Sequence, residues 1–128
     1  MRRIVLFVAL MLVTGCVTTA QELINTSQYK KTIKLDQNYQ AAYRDILTVL
    51  RNCYAGPINL VVSTKVEGQL YSDLKFGEIS WFQDNLAAMH HAYVKIAKAG
   101  DGSEVTIYAA GIGYLKPVEA HVRGSKEC

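Results

Sequence analysis

Three histidines are the side chains of this sequence best suited to hold a metal ion or act as a general base: His90, His91 and His121. His90 and His91 are adjacent in a segment that we expect to be a strand, and adjacent side chains of a strand point to opposite faces of the sheet. The pair therefore cannot converge on one ion, and His121 has no further ligand at a recognisable spacing. We expect neither a metal site nor a cofactor.

The other candidates for catalysis are carboxylates and nucleophiles. Asp73, Glu78 and Asp84 lie close together in the sequence, but they flank a loop and a strand, so solvated charge explains them better than a glycosidase-type acid pair. No serine stands in a Gly-x-Ser-x-Gly elbow. Gly111-Ile112-Gly113 lacks the later glycine and the following helix of a dinucleotide-binding loop. These observations predict a protein that is not an enzyme.

The first sixteen residues have the order of a bacterial export signal. Two arginines stand near the start, residues 4–13 are all apolar, and Val13-Thr14-Gly15-Cys16 places small residues before a thiol. The apolar run makes only about 15 Å of helix, half of the ~30 Å hydrocarbon core of a bilayer. It is therefore too short to remain as a spanning anchor.

Val13-Thr14-Gly15-Cys16 resembles the lipobox of bacterial lipoproteins, although leucine is commoner where Val13 stands. The resemblance implies that residues 1–15 are a signal peptide cleaved after Gly15, and that Cys16 carries diacylglycerol on its sulfur and a further acyl chain, such as palmitate, on the new amino terminus. Several acyl chains anchor a protein stably, whereas a single chain binds reversibly. In a Gram-negative source, Val17 in place of an aspartate implies sorting to the outer membrane, facing the periplasm. The alternative is an ordinary cleaved signal with an incidental cysteine.

Cleavage would also change the charge of the chain. Loss of Arg2 and Arg3 lowers the formal charge from +3 to about +1, with twelve basic residues against eleven acidic ones. The remaining lysines and arginines form no run that could neutralise a track of phosphates. We therefore expect no nucleic-acid partner, and attachment to a membrane through acylated Cys16 rather than through a basic patch.

Cys53 and Cys128 remain once Cys16 carries lipid. Exported compartments oxidise thiols, and an even pair of cysteines in a small secreted domain predicts a disulfide. Closing the loop over residues 53–128 would stabilise the fold by about 4.5 kcal/mol at most in the chain-entropy estimate. The alternative is a buried Cys53 on a helix face and an unrelated, unpaired Cys128.

The clearest secondary-structure element in the sequence is one amphipathic helix. Apolar side chains recur at steps of three and four from Tyr39 to Tyr54, while polar side chains occupy the other side. Asp36 is a plausible N-cap, and Gly56-Pro57 ends the run. With Asp36 as N-cap the predicted helix has eighteen residues, 37–54. It is about 27 Å long, enough to cross four or five strands at ~4.8 Å spacing.

The remaining pattern is extended. Strands are predicted over residues 29–35, 60–66, 78–82, 89–99 and 104–110, and the last two form a hairpin at Gly100-Asp101-Gly102. After a flexible segment at 111–113, residues 118–123 could form a helical turn that brings Cys128 toward Cys53. The fold class is therefore α+β, a two-layer sandwich with one long helix packed across a four- to five-stranded antiparallel sheet. We assign residues 16–28 to a lipidated tether and 29–128 to one periplasmic domain.

Over residues 29–128 the chain faintly resembles small proteobacterial lipoproteins with a helix-grip type of domain. Their helix ends in an Arg-x-Cys-Tyr pattern, here Arg51-Asn52-Cys53-Tyr54, and their chain closes with another cysteine, here Cys128. The resemblance implies no established activity.

Four aromatic residues within twelve positions are candidates for a binding surface: Tyr71, Phe76, Trp81 and Phe82. Aromatic side chains anchor interfaces, and they also fill cores. We expect Trp81 to lie in the core and Tyr71 and Phe76 to be a possible partner surface.

These observations favour a non-enzymatic, membrane-anchored envelope lipoprotein with a structural, assembly or interaction role and an unidentified envelope protein as partner. An alternative is a lipid-anchored inhibitor of a secreted hydrolase such as lysozyme, against which the long helix argues because such inhibitors are essentially all-β. A third possibility, a cell-wall or lipid-modifying enzyme, requires a cleft in which residues such as His90, Asp73 and Glu78 converge.

Overall fold

The computed structural model describes residues 19–85 and 88–128, and this part of the chain is α+β, with three helices and a six-stranded antiparallel sheet. The predicted signal peptide, its cleavage position Gly15 and Cys16 lie outside the described residues. In chain order the elements are α1 (Ala20–Thr26), β1 (Tyr29–Leu35), α2 (Tyr39–Tyr54), β2 (Gly56–Pro57), β3 (Ser63–Tyr71), β4 (Phe76–Asp84), β5 (Met89–Ala99), β6 (Gly102–Ala109) and α3 (Ile112–Val122).

The sheet has the order β1-β6-β5-β4-β3-β2, and all its pairings are antiparallel. The sixth strand, beyond the four or five predicted, is the two-residue edge strand β2. It contains Pro57, which cannot donate a backbone hydrogen bond and is tolerated at a sheet edge. A segment this short has no alternation by which a sequence pattern could reveal it.

The strand predicted over residues 60–66 is displaced toward the C-terminus, because β3 begins only at Ser63. The Asn59 side chain explains the difference. Its Oδ1 accepts hydrogen bonds from the backbone N–H groups of Val61 and Val62, each at 2.9 Å. Asparagine commonly forms such turns. The β-branched residues at 61 and 62 therefore lie in a turn rather than in the ladder.

Helix α2 packs on one face of the sheet, which we call the inner face. Ala42, Ile46 and Leu50 are at most 3% exposed and meet the buried side chains of the strands in one core. The N-cap is Asn38 rather than the predicted Asp36: Asn38 Oδ1 accepts a hydrogen bond from Gln40 N at 2.9 Å. A side chain directly preceding the first helical residue is the one that can reach these orphan N–H groups.

Tyr43 of α2 lies over two glycines on the inner face of the sheet. A Cβ placed on Gly77 would lie 2.5 Å from Tyr43 Cδ2, and one on Gly68 would collide with the Tyr43 hydroxyl. The absence of side chains on β3 and β4 therefore forms the depression that receives the ring.

Helix α3 is longer than the predicted turn at 118–123, and the expectation of a flexible segment at 111–113 is wrong. The carbonyl of Gly111 accepts hydrogen bonds from the N–H groups of Tyr114 and Leu115, so the helix begins at Ile112. Its buried residues Leu115, Val118 and Val122 fall on one side at helical spacing and join the core. The two glycines had concealed this pattern.

The predicted disulfide is present. Cys53 and Cys128 are bonded, with their Cα atoms 5.3 Å apart, and the bridge joins the C-terminal turn of α2 to the segment that follows α3. Two elements distant in sequence are therefore fixed against each other at one end of the inner face.

The predicted tether over residues 16–28 includes a short helix, α1, where it is described. Thr19 caps it by accepting a hydrogen bond from Glu22 N, and Leu23 is only 4% exposed. Helix α1 contacts β5 and β6, although it has no second apolar stripe. One buried leucine is enough to dock it, because the partner surface is an already formed sheet. Among the described helices, none combines the length and apolar character needed to cross a bilayer.

Candidate functional site

The face of the sheet opposite α2 and α3, which we call the outer face, carries the arrangement that most resembles a binding site. Alternate residues of a strand point to opposite faces. Ile79 and Trp81 of β4 are buried in the core on the inner face. Phe76 and Glu78 are at even-numbered positions of the same strand and therefore point to the outer face. We define the outer-face patch as the side chains of Tyr71, Phe76, Glu78, Tyr93 and Lys95.

The centre of the outer-face patch is Glu78, whose two carboxylate oxygens both accept hydrogen bonds. Tyr71 Oη donates to Oε1 at 2.9 Å, and Tyr93 Oη donates to Oε2 at 2.6 Å. The donors come from β3 and β5, the two neighbours of β4. Cross-strand pairing therefore assembles a tyrosine-glutamate-tyrosine bridge from three strands.

The bridge holds both tyrosines in the protonated form. Its hydrogen bond to Glu78 raises the pKa of Tyr71. Burial, followed by the hydrogen bond to Glu78, raises the pKa of Tyr93 far above its ordinary value. Hydrogen bonds to a charged acceptor are roughly twice as strong as neutral ones. The hydroxyls are thus fixed donors to Glu78, and the rings keep fixed positions.

A layer of rings and cations surrounds this bridge. The ring centroids of Tyr71 and Phe76 are 5.0 Å apart, and Lys95 Nζ lies 4.7 Å from the Phe76 centroid. Tyr108 extends the layer: Lys30 Nζ lies 5.2 Å from the centre of its ring. Both Tyr71 and Phe76 are partly exposed. The surface offers a partner apolar ring faces, positive charge and a fixed carboxylate within a small area, a mixture typical of interface anchors.

A second aromatic cluster lies on the inner face beside the disulfide, and three of its five side chains are buried. Trp81 stacks on Tyr54 with centroids 4.2 Å apart, and its edge meets the ring of His91 at 5.5 Å. His91 in turn stacks on Tyr114 at 4.4 Å. Trp81 is 8% exposed, so the prediction that it lies in the core is confirmed. This inner aromatic cluster, Tyr54, Trp81, His91, Tyr114 and His121, joins both helices to the sheet.

The two buried histidines of this cluster are used in packing and hydrogen bonding. His121 Nδ1 lies 2.8 Å from the Ser125 carbonyl, and its Nε2 lies 2.7 Å from Tyr54 Oη. A carbonyl can only accept, so we assign the hydrogen to Nδ1 and place Nε2 as the acceptor from Tyr54. Burial, and to a smaller extent the neighbouring His90, lowers the pKa of His91 and favours its neutral form.

The residues named as catalytic candidates do not meet. His90 stacks on Phe82 at 5.1 Å, on the other side of the strand from His91. Phe82 is four residues from Glu78, or about 13 Å along the strand. Asp73 lies in the exposed turn between β3 and β4, at the opposite end of β4 from Phe82 and His90. In residues 19–85 and 88–128, no three His, Cys, Asp or Glu side chains are grouped so as to hold a metal ion.

The sequence identified Tyr71 and Phe76 as candidate surface residues, and the structure brings them into contact on the outer face. Sequence reasoning did not predict that Tyr93 and Lys95 belong to the same patch, or that Glu78 lies at its centre. Alternation along β5 places Tyr93 and Lys95 on one face, which is a usable signal. Their distance from Glu78 depends on the register between β4 and β5, where Glu78 pairs with Lys95, and no residue pattern encodes that register.

A groove of about 400 Å³ lies between α2 and the segment after α3. Its wall includes Asp45, Thr48 and Asn52 on the helix and Ser125 and Lys126 on the C-terminal segment. These side chains are exposed or partly exposed, whereas the lining residues Ile46, His121 and Val122 are buried. The groove shows no constellation comparable to the outer-face patch.

No protein-family model, curated protein or solved structure matches this chain, so its own residues and geometry carry the functional argument.

Proposed function

We propose that this chain is a non-enzymatic lipoprotein of the bacterial cell envelope. Acylated Cys16 holds it at a membrane, and its outer-face patch binds another envelope protein in a structural or assembly role. In a Gram-negative source the membrane is the outer membrane and the domain faces the periplasm. The proposal has two parts, an anchor and a binding surface, and each part has its own support.

The observation that carries the anchor is how the three cysteines are used. Cys53 and Cys128 are bonded to each other, which is the arrangement expected after export to an oxidising compartment. The third cysteine, Cys16, directly follows the apolar run and the small residues of the lipobox-like tetrad. A thiol at that position, with its two counterparts paired, supports lipid attachment.

The binding surface is supported by the state of Glu78. A carboxylate that acts as a general acid or base needs an oxygen within reach of substrate, with a pKa matched to the proton transfer. Both oxygens of Glu78 are occupied by tyrosine hydroxyls, at 2.9 and 2.6 Å. The carboxylate therefore supports a fixed array of rings, and this role suits recognition rather than proton transfer.

The anchor is tested by expressing the full chain in a bacterium supplied with labelled palmitate. We expect label on the wild-type protein, its recovery with membranes, and a mature amino terminus at residue 16 by mass spectrometry. The Cys16→Ser variant should carry no label. A wild-type protein without label or acyl mass would reject the anchor.

The binding surface is tested by site-specific photo-cross-linking in living cells, with the cross-linker at position 76. The matched control position is Lys34, which is exposed on β1 and shares the outer face but lies outside the patch. We expect a cross-linked product from position 76 that is lost on Tyr71→Ala and is not formed from position 34. The same product at equal yield in the Tyr71→Ala variant would reject the surface.

A further inference from the structure

Large apolar side chains that are exposed lie mostly at one end of the sheet. In the described ranges 19–85 and 88–128, the exposed large hydrophobic residues are Ile58, Leu60, Val61, Leu74, Met89 and Ile112. Leu74 alone among them belongs to the β3–β4 turn at the other end. The other five we call the apolar end.

Strand register shows that these five belong together. Ser63 at the start of β3 pairs with Asp84 at the end of β4, and Gln83 pairs with Met89 at the start of β5. Ala92, three residues further along β5, pairs with Ala109 at the end of β6, from which the chain passes into α3 at Ile112. The turn that carries Ile58, Leu60 and Val61 directly precedes β3. All of these segments therefore project from the same end of the sheet.

Four backbone N–H groups of the turn at the apolar end are hydrogen-bonded within the turn itself. The N–H groups of Ile58 and Asn59 both donate to the Val62 carbonyl, at 2.9 and 3.1 Å, and Asn59 Oδ1 accepts two further backbone hydrogen bonds. Leu60 stands fully exposed at its tip, and Val61 is 71% exposed. Each N–H group that is already hydrogen-bonded lowers the cost of bringing the turn into the interfacial region of a bilayer. Contiguous exposed apolar side chains mark interaction sites.

The chain reaches the domain at this same end. Tyr29, the first residue of β1, pairs with Ala109, and the preceding Ser27 donates its hydroxyl to the Ala109 carbonyl. Helix α1 adds about 10 Å, and the three residues from Thr19 back to Cys16 span at most about 11 Å. Acyl chains on Cys16 would thus leave the domain within about 20 Å of the apolar end.

We propose that the apolar end contacts the lipid bilayer itself, with Leu60 and Val61 inserted at the headgroup boundary of the leaflet that holds the acyl chains of Cys16. This inference rests on the lipid anchor of the proposed function and adds an orientation to it. The strands stand away from the membrane, and the outer-face patch faces sideways at a defined height. Lys65, beside the turn, is paired with Asp84 at 2.7 Å, so the contact depends on apolar burial rather than on anionic lipid.

The test uses the full, lipidated protein in phosphatidylcholine vesicles with and without brominated lipid, which quenches tryptophan at the depth of the bromine. The reporter variant is Leu60→Trp, and the matched control is Leu74→Trp, another exposed leucine in a turn at the other end of the sheet. The wild-type protein gives the background from buried Trp81. We expect Leu60→Trp to lose about half of its added fluorescence in brominated vesicles, and Leu74→Trp to lose almost none.

Mass spectrometry of the same samples separates the two proposals. Acylated protein with equal, weak quenching at positions 60 and 74 would overturn the bilayer contact and leave the anchor intact. Protein without acyl mass would overturn both. Quenching at position 60 that disappears when Val61→Asp is added would support insertion of the turn. Protection of Leu60→Trp from brominated lipid together with dimers in cross-linking would assign the apolar end to a second copy of this chain and overturn the lipid contact.

Discussion

The two faces of one sheet use aromatic residues in opposite ways. On the inner face, Trp81 lies between the rings of Tyr54 and His91 and is 8% exposed. On the outer face, Phe76 contacts Tyr71 and Lys95, and remains partly exposed. Trp81 and Phe76 belong to the same strand, five residues apart, so an odd spacing places them on opposite faces. Parity along β4 separates an aromatic residue that holds the fold from one that is available to a partner.

This contrast predicts how substitutions should divide. Inner-face changes should lower the free energy of unfolding, because buried rings lose packing contacts and loss of the disulfide frees the unfolded chain. Outer-face changes should lower it less and should act on binding.

The largest expected effect is loss of the disulfide. The Cys53→Ser, Cys128→Ser double variant should lose about 4 kcal/mol of unfolding free energy, because the unfolded chain regains the freedom of a loop with a sequence separation of 75. Urea unfolding followed by Trp81 fluorescence measures it. The wild-type protein in reductant should unfold at the same urea concentration as the double variant, and an unchanged midpoint in both would contradict the assigned role.

A smaller loss is expected from Gly77→Ala on the inner face. The new methyl group would lie 2.5 Å from Tyr43 Cδ2, so the ring or the strand must move, at a cost of about 1–3 kcal/mol. The matched control is Gly113→Ala in α3, where no atom lies within 4 Å of the added Cβ. That variant should be unchanged or more stable by up to about 1 kcal/mol, since alanine favours helix. Equal urea midpoints for the two variants would refute the close fit of Tyr43.

The disulfide and Gly77 differ in how well the sequence alone predicts their roles. Helix α2 follows an apolar repeat, and β5 spans the predicted residues 89–99 because its alternation is regular and a glycine turn ends it. The pairing of Cys53 with Cys128, which the structure contains, was predicted from the number of cysteines and from the expectation of export. Gly77 shows no such signal, because its role depends on the ring that lies above it.

The elements whose positions were predicted wrongly each have a physical explanation. Asn59 turns a β-prone segment into a loop, and glycines conceal the start of α3. Helix α1 is stabilised by a sheet that forms from distant residues. Of the outer-face patch, the sequence predicted only Tyr71 and Phe76 as surface residues. The hydrogen bonds of Glu78 join three strands, and the register of those strands is a tertiary property.

On the outer face, Tyr93→Phe should cost about 1.5 kcal/mol, because it removes a short hydrogen bond to a carboxylate. Tyr71→Phe is the matched variant and should cost less, since Tyr71 is more exposed. The raised pKa of Tyr93 means that its contribution is present below the pKa of an unfolded tyrosine, near 10, and is lost as the pH rises above it. Urea unfolding from pH 8 to 11 should show a smaller alkaline loss in Tyr93→Phe than in the wild type. A larger cost for Tyr71→Phe would reverse the assignment of the two donors.

The smallest expected effect is the loss of stability at acid pH that is caused by His91 on the inner face. Burial lowers the pKa of His91, so the unfolded chain binds a proton more readily than the folded one. Stability should therefore be complete above the ordinary histidine pKa of about 6.5 and decline as the pH falls below it. We expect His91→Gln to flatten the decline between pH 7 and 5 in thermal unfolding, and His90→Gln to retain most of it because His90 is only the secondary cause. Equal slopes in all three proteins would show that His91 does not titrate on unfolding.

The position of the disulfide has a mechanical consequence. The bridge closes residues 53–128 into a covalent loop that contains β2 to β6 and α3, while β1 and nearly all of α2 lie outside it. Tension from a membrane on the N-terminal side would reach α1 first and then the start of β1, which is held to β6 by seven residue pairs. If β1 and α2 were pulled free, the rest of the chain could extend no further than its closed loop allows. A domain of this design would yield first at α1 and the edge strand β1, and would keep the strands of the outer-face patch within one covalent ring.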